Sequence, residues 1–566
     1  MPRNNRASSK IAPGFGALMA RRAPRIPHAG ILAFLMGCVW FQPLAAQDGQ
    51  PLNSIDWLSR SVMDAPSEGQ IAASAPEASM QGNQGSRAVV DVPIGEPAVA
   101  TAVGTGTVSM APLDAPMPSE TLGLLPTSRT GLPAALWGET PEPMLADLLH
   151  RERLDMMPAL QSLLFTLMLA ELAPPKGAPK FGQSPGQSLF LARIDRLLEL
   201  GALEPANAML ELSGPTNPER FRRLFDISLL IGDVDRACAL MAKTDGISPS
   251  LTARIFCLAR TGDWPAAQVL FTSAKALNDI PADIVPLLER FMDDGMVDTA
   301  EDLAPPANPS PLVFRMMEAI GQPMPTTYLP LAFAQADLGA NTGWRTRLEA
   351  GERLAKAGTI DPNQMLGLYT EQSPAASGGV WERARAVAAL DKAVQSRDPQ
   401  AVTLALEPAI SVMEDAELEM VLASLYGEAL IDIPLSGDTD AAAFRLGLLS
   451  QSYEIAAKAH RARSQDEAML IGIAKGSTTG IKSLDSLGKA LKGAFDSAPV
   501  VPERYRELIE GDRLGEAILR AIDDITDGAR GGVQGVTDGL MMLRAAGLEN
   551  VARQTALQLT LLERRG

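Results

Sequence analysis

The chain has 566 residues, 46% of them apolar but only 5% aromatic, and a formal net charge of −17. That length holds two or more domains or one long array, and so negative a surface works against non-specific binding to nucleic acid. The low aromatic content and the absence of period-two Val/Ile/Thr runs exclude a sheet-rich protein and leave an all-α fold.

Residues 1–46 carry six basic residues (Arg3, Arg6, Lys10, Arg21, Arg22, Arg25) and no acidic one. The apolar run Ala29–Phe41 follows, then Gln42-Pro-Leu-Ala-Ala46. Basic, apolar and small residues in that order predict a secretory signal peptide over 1–46, cleaved after Ala46, with Met19 an alternative start. The apolar core is shorter than the roughly 20 residues of a membrane span. Export to a bacterial periplasm is the expected localisation. Leu35-Met-Gly-Cys38 has the outline of a lipoprotein box, but the apolar residues after Cys38 argue against lipid anchoring there. With the six basic residues removed from 50, 44 stand against 67 acidic ones, a charge of about −23.

Residues 47–140 are rich in Pro, Ala, Gly and Ser, as in Ala111-Pro-Leu-Asp-Ala-Pro-Met-Pro118. Such a stretch buries too little apolar surface to offset its chain entropy and predicts a disordered tether. Ile55-Asp-Trp57-Leu58 stands out in it as a candidate partner contact. Trp137, which adjoins the first long helix, is expected to fold back onto the body.

From 141 to 566 the pattern alternates helices with short breaks. Pro158 opens a helix to Leu172 that is apolar on most of its circumference, as expected of a helix buried within a bundle. A phrase then recurs: an apolar helix end, a glycine, and an alanine five residues later. Gly201 precedes Ala206, Gly232 precedes Ala237 and Gly262 precedes Ala267. Gly295 with Ala300 and Gly547 with Ala552 keep the same interval. Glycine supplies the turn, alanine lets the next helix approach closely, and Asp233 and Asp263 stand where a carboxylate caps that helix. Pro265 fits the first turn. The predicted fold is an α-solenoid of antiparallel helix pairs, with hinges near 370–379 and 431–438 and one long helix over Thr439–His460.

The phrase, clearest near Leu229, Leu251 and Met541, resembles the tetratricopeptide and wider helical-repeat proteins of the bacterial envelope, without the full repeat consensus. The resemblance implies a scaffold that binds proteins or peptides, here an envelope partner.

Few chemical groups compete with that reading. Cys238 and Cys257 lie on helices expected to be adjacent; they form either a disulfide or a pair of buried small apolar residues. They have no histidine or Cys-x-x-Cys neighbour, so neither a metal nor another cofactor is expected. Asp293-Asp294 and Asp523-Asp524 read as caps or solvated faces, since adjacent residues on a helix do not face each other. Lys475, Lys482, Lys489 and Lys492 against the single Asp485 make a basic patch, suited to weak membrane, cell-wall or partner contact or simply the wet side of an amphipathic helix. The expected function is a non-enzymatic scaffold or adaptor. Its rivals are a cell-wall-acting enzyme carrying a helical superhelix, whose catalytic glutamate and aromatic groove the sequence does not display, and a structural subunit of a membrane-associated assembly.

Overall fold

The computed structural model describes residues 122–562, apart from 154, 177–188, 215–216, 294–300 and 484. The chain divides into two units, Met1–Pro51 and Leu52–Gly566, and the described residues all belong to the second. The signal segment, Cys38, Trp57, Gly295 and Ala300 lie outside the described residues.

Among the described residues the secondary structure is helical, with no strand; Leu125 and Ala170 form one isolated bridge. Helices α1 (Thr127–Thr130), α2 (Glu142–Arg151) and the apolar α3 (Pro158–Leu169) come first. They are followed by α4 (Leu189–Glu199), α5 (Leu203–Leu212), α6 (Pro218–Ile231), α7 (Val234–Lys243), α8 (Leu251–Arg260) and α9 (Trp264–Leu277). Then α10 (Val285–Phe291) and α11 (Pro311–Ala319) lead to two 3₁₀ segments, Thr326–Tyr328 and Leu331–Leu338. The central helices are α12 (Trp344–Lys356), α13 (Pro362–Thr370), α14 (Val380–Ser396), α15 (Pro399–Glu414), α16 (Glu419–Ile431) and α17 (Gly437–Leu449). The last are α18 (Tyr453–Ala459), α19 (Gln465–Ala474), α20 (Ser486–Phe495), α21 (Glu503–Glu510), α22 (Leu514–Gly528), α23 (Val533–Ala545) and α24 (Glu549–Leu561). None of these helices is long and apolar enough to cross a membrane.

The turns follow from local chemistry. Gly262 takes a left-handed backbone (φ 87°), and the next N–H, that of Asp263, returns to Leu258 O at 2.9 Å. This is a glycine-centred helix stop, satisfying a carbonyl that would otherwise have no partner. The Asp263 carboxylate then accepts from Ala266 N, and Pro265 occupies the first turn of α9. Gly547 repeats the stop, with Leu548 N on Leu543 O at 2.9 Å. Asp233 departs from expectation: it makes no side-chain cap on α7 and lies 4.0 Å from Arg236. The alanines Ala206, Ala237, Ala267 and Ala552 are each 1% exposed or less. At these positions helix meets helix with little more than a methyl group between them.

Successive helices pack on one another, and further contacts join distant parts of the chain, two of them between its first and last helices. Helix α2 packs on α22, and α3 packs on α24. A strictly one-dimensional array has contacts only between neighbouring units; here the first and last helices share a core. One cluster of buried side chains runs through residues 132–333 and 444–559, while a second is centred on 334–449.

That closure corrects the boundary of the tether. Residues 122–140 are not a linker but part of the body. Leu136 and Trp137 are 1% exposed, Leu136 O accepts from Gly515 N at 2.9 Å, and Glu139 N donates to Asp512 O at 3.0 Å. Apolar residues at this density have a core to enter, formed by a helix nearly 400 positions downstream.

Two helix boundaries also differ. The apolar helix ends at Leu169 rather than Leu172, because Leu169 O accepts from Leu124 N and Leu125 N and the chain turns extended at Ala170. The Thr439–His460 stretch is two helices. The break falls at Ser450, whose hydroxyl donates to Gly447 O and whose oxygen receives Ser452 N. The segment 431–438, where a hinge was expected, spans the end of α16, the loop 432–436 and the start of α17, and the two helices pack directly on each other.

Candidate functional site

A cavity of about 570 Å³ opens where α15, α16, α17 and α19 meet the end of α24. Its floor is apolar: Leu422, Leu446, Leu449 and Leu470 are all buried and line it. Its rim is acidic. Glu407, Glu414, Asp415 and Asp466 are exposed around it with the guanidinium of Arg445, and Glu419 lines it from a buried position.

These carboxylates are not all placed for the sake of the helices. Glu419 and Asp466 sit in the first turns of α16 and α19, where a negative charge meets the positive end of the helix. Glu414 is the last residue of α15 and Asp415 its C-cap, at the negative end. There the backbone carbonyls add to the side-chain charge instead of opposing it. The result is a groove with an apolar base and a mostly acidic lining, chemically suited to a cation carried on an apolar body.

The structure places the expected site residues as follows. Cys238 on α7 and Cys257 on α8 are joined by a disulfide, with Cα atoms 5.3 Å apart. Both are buried, so the bond pins one hairpin from within. Lys475, Lys482 and Lys489 are exposed, whereas Lys492 is half-buried and pairs with Asp496 at 2.9 Å. The opposite stripe of α20, from Ala490 to Phe495, enters the core, and Arg544 lies over the Phe495 ring at 4.8 Å. Asp524 is not a solvated face: it accepts from the Tyr505 hydroxyl and lies 3.3 Å from Arg504. Among the described residues no group of three or more His, Cys, Asp or Glu is arranged to hold a metal ion.

Sequence reasoning missed the buried charges. Arg193, 1% exposed, reaches from α4 to Met168 O at 2.6 Å and Ala170 O at 3.0 Å, closing the end of α3. Burial pushes its guanidinium down to about 10. Asp195 and Arg223 form a paired contact between α4 and α6, with Oδ2 on Nη2 at 2.7 Å. Asp226, one turn further along α6, is 4% exposed and its Oδ2 has no hydrogen-bond partner. Burial pushes that carboxyl up to about 7, against the pull of Arg222 and Arg223. Glu352 on α12 takes Tyr369 Oη at 2.9 Å and Arg383 Nε at 2.7 Å. Burial and the adjoining Glu352 raise the Tyr369 hydroxyl well above the usual tyrosine range. The acidic groove was equally hidden, because its residues come from five helices spread over more than 150 positions.

No protein-family model, curated protein or solved structure matches the chain.

Proposed function

We propose that this protein is a non-enzymatic periplasmic scaffold or adaptor, built as an array of antiparallel helix pairs akin to tetratricopeptide repeats. It binds a protein or peptide of the cell envelope in the acidic groove beside Glu414 and Asp415. The single observation that carries the reading is that groove, whose floor of Leu422, Leu446, Leu449 and Leu470 is apolar and whose lining includes five acidic side chains and one arginine. The signal-like segment over 1–46 supports export, and the cysteine pair suits an oxidising compartment. The partner presents lysine or arginine next to apolar residues.

Crosslinking in the native envelope, followed by capture of the full chain, tests this when wild type is compared with Glu414→Lys/Asp415→Lys. The expected result is an envelope protein whose crosslinks map to α15 and α19, recovered several-fold less well with the reversed charges. Recovery that is indifferent to the reversal refutes the groove as the binding surface. Enrichment of cell-wall fragments with measurable turnover refutes the non-enzymatic reading.

A further inference from the structure

Helix α24 ends at the acidic groove. Thr560 and Leu561 line it, and Leu561 is the last residue of the helix. Leu562 then leaves the helix with an extended backbone, φ −99° and ψ 123°. It is held in place: its side chain is 6% exposed in the second core cluster, and its N–H donates to Gln558 O at 2.9 Å. The chain therefore departs from a fixed point one residue beyond the groove lining. Glu563, Arg564, Arg565 and Gly566 follow in the sequence, outside the described residues. Along an extended chain the α-carbons of Arg564 and Arg565 lie at most about 7 and 11 Å from that of Leu562, and a long side chain adds to the reach.

We propose that Arg564 and Arg565 occupy the acidic groove in the free protein, so that segment 563–566 covers the site and a partner enters by displacing it. The inference rests on the reading of the groove as a cation site. Charge complementarity selects the occupant: Glu407, Glu414, Asp415 and Asp466 are exposed on the lining with Arg445 among them. Two helices also finish there, α15 at Glu414 and α24 at Leu561, and neither has a basic residue in its last turn to meet the negative end. Distance selects this segment over the basic residues of 47–121, which are Arg60 and Arg87. Both stand dozens of residues upstream of Leu122, where the described chain begins, and restraining so long a stretch costs more entropy than placing two residues beside a fixed one. An occupant attached at the wall acts at a high effective concentration. An outside partner thus competes with the chain's own arginines for the same carboxylates.

Cysteine crosslinking in the purified full chain tests the proposal. Ser411→Cys puts a thiol on the exposed α15 wall of the groove and Gly566→Cys puts one beyond the arginines. Cys38→Ser removes the remaining reactive thiol, because Cys238 and Cys257 are bonded to each other. With a short bis-maleimide the intramolecular crosslink is expected to form several-fold faster than after Arg564→Glu/Arg565→Glu or after Glu414→Arg/Asp415→Arg. The two reversals combined are expected to regain part of the rate. Salt at about 1 M, where the screening length falls to about 3 Å, is expected to slow the reaction of the unreversed chain. A rate indifferent to the reversals and to salt overturns the proposal, as does a loss that the combined reversal fails to recover. Crosslinked dimers in place of the intramolecular product also overturn it and assign the groove to the segment of a second copy. No partner is present in this measurement. Its failure leaves the groove open to an outside ligand, whereas envelope recovery indifferent to Glu414→Lys/Asp415→Lys removes the partner and leaves the crosslink as it is.

Discussion

The indole of Trp137 fills the space beside the α-carbon of Gly515 that any side chain there would need. A Cβ at Gly515 would lie 2.5 Å from the ring atom Cε3 and 3.0 Å from Leu136 O. The contact joins the segment before α2 to the first turn of α22 and seals the first helices against the last. Replacing glycine by alanine inside a helix ordinarily stabilises it by about 0.5–1 kcal/mol. At Gly515 the sign reverses, because the new methyl displaces a fully buried indole. Gly515→Ala is expected to lower the denaturant midpoint, with a loss of about 1–3 kcal/mol. Gly367→Ala, in α13 with open space around it, is the control and is expected to raise the midpoint. Equal effects from the two substitutions would contradict this packing.

The Cys238–Cys257 bond closes a loop with a sequence separation of 19. In the chain-entropy account a loop of that size restricts the unfolded state by about 3 kcal/mol. Cys238→Ala/Cys257→Ala is expected to lose about that much stability, and mild reductant to lower the melting temperature of wild type but not of the variant. Intact-mass measurement before and after alkylation reports the bond directly. Alkylation of Cys238 and Cys257 in the unreduced folded protein would be incompatible with it.

Arg383 is the cation that compensates Glu352, which is 6% exposed. Removing one partner of a buried pair leaves the other uncompensated, at about 3–5 kcal/mol, whereas exposed pairs are worth little. Arg383→Leu is therefore expected to destabilise strongly, and Arg345→Leu, which frees the exposed Glu349, hardly at all. Adding Glu352→Gln to Arg383→Leu should recover part of the loss, since the buried charge disappears. Comparison of thermal melts across these variants decides it. If the double substitution is no better than the single one, the uncompensated charge is not the cause.

The recurring Gly–Ala phrase was legible in the sequence because several local demands coincide within a few residues. At Gly262, Asp263, Pro265 and Ala267 the turn, cap, helix start and close packing all sit in one window. The all-helical character was legible for the same reason, as a sum of local preferences. The placement of Trp137 was legible only halfway: its burial was expected, but its partner Gly515 lies 378 positions away and no local pattern announces it. Arg193 reads as an ordinary surface residue of an amphipathic helix, since nothing nearby shows that α3 ends above it. The break at Ser450 was hidden because Phe444, Leu448 and Tyr453 keep helical spacing through it. The groove was hidden most completely. Glu414 and Asp466 come to line one cavity only through the packing of helices far apart in sequence, with Leu446 and Leu470 buried at its floor.

Asp226 makes the stability of the body depend on pH. Its carboxyl is held at about 7 in the folded chain against 3.8 as the ordinary value. The neutral form is thus the one that fits the folded state. Stability from this group is fully present below the unfolded value, declines as pH rises through the interval, and is lost above about 7. The charges around it are Arg222 and Arg223 on its own helix and Asp195 on α4, paired to Arg223; they act against burial without overcoming it. Asp226→Asn keeps the shape and removes the titration. The variant is expected to match wild type at about pH 4 and to exceed it at about pH 8, on the order of a few kcal/mol. Thermal melts of both proteins across that range give the two curves. Parallel curves would mean that Asp226 ionises in the folded chain as readily as in the unfolded one, and that its burial is relieved by water or by motion of α6.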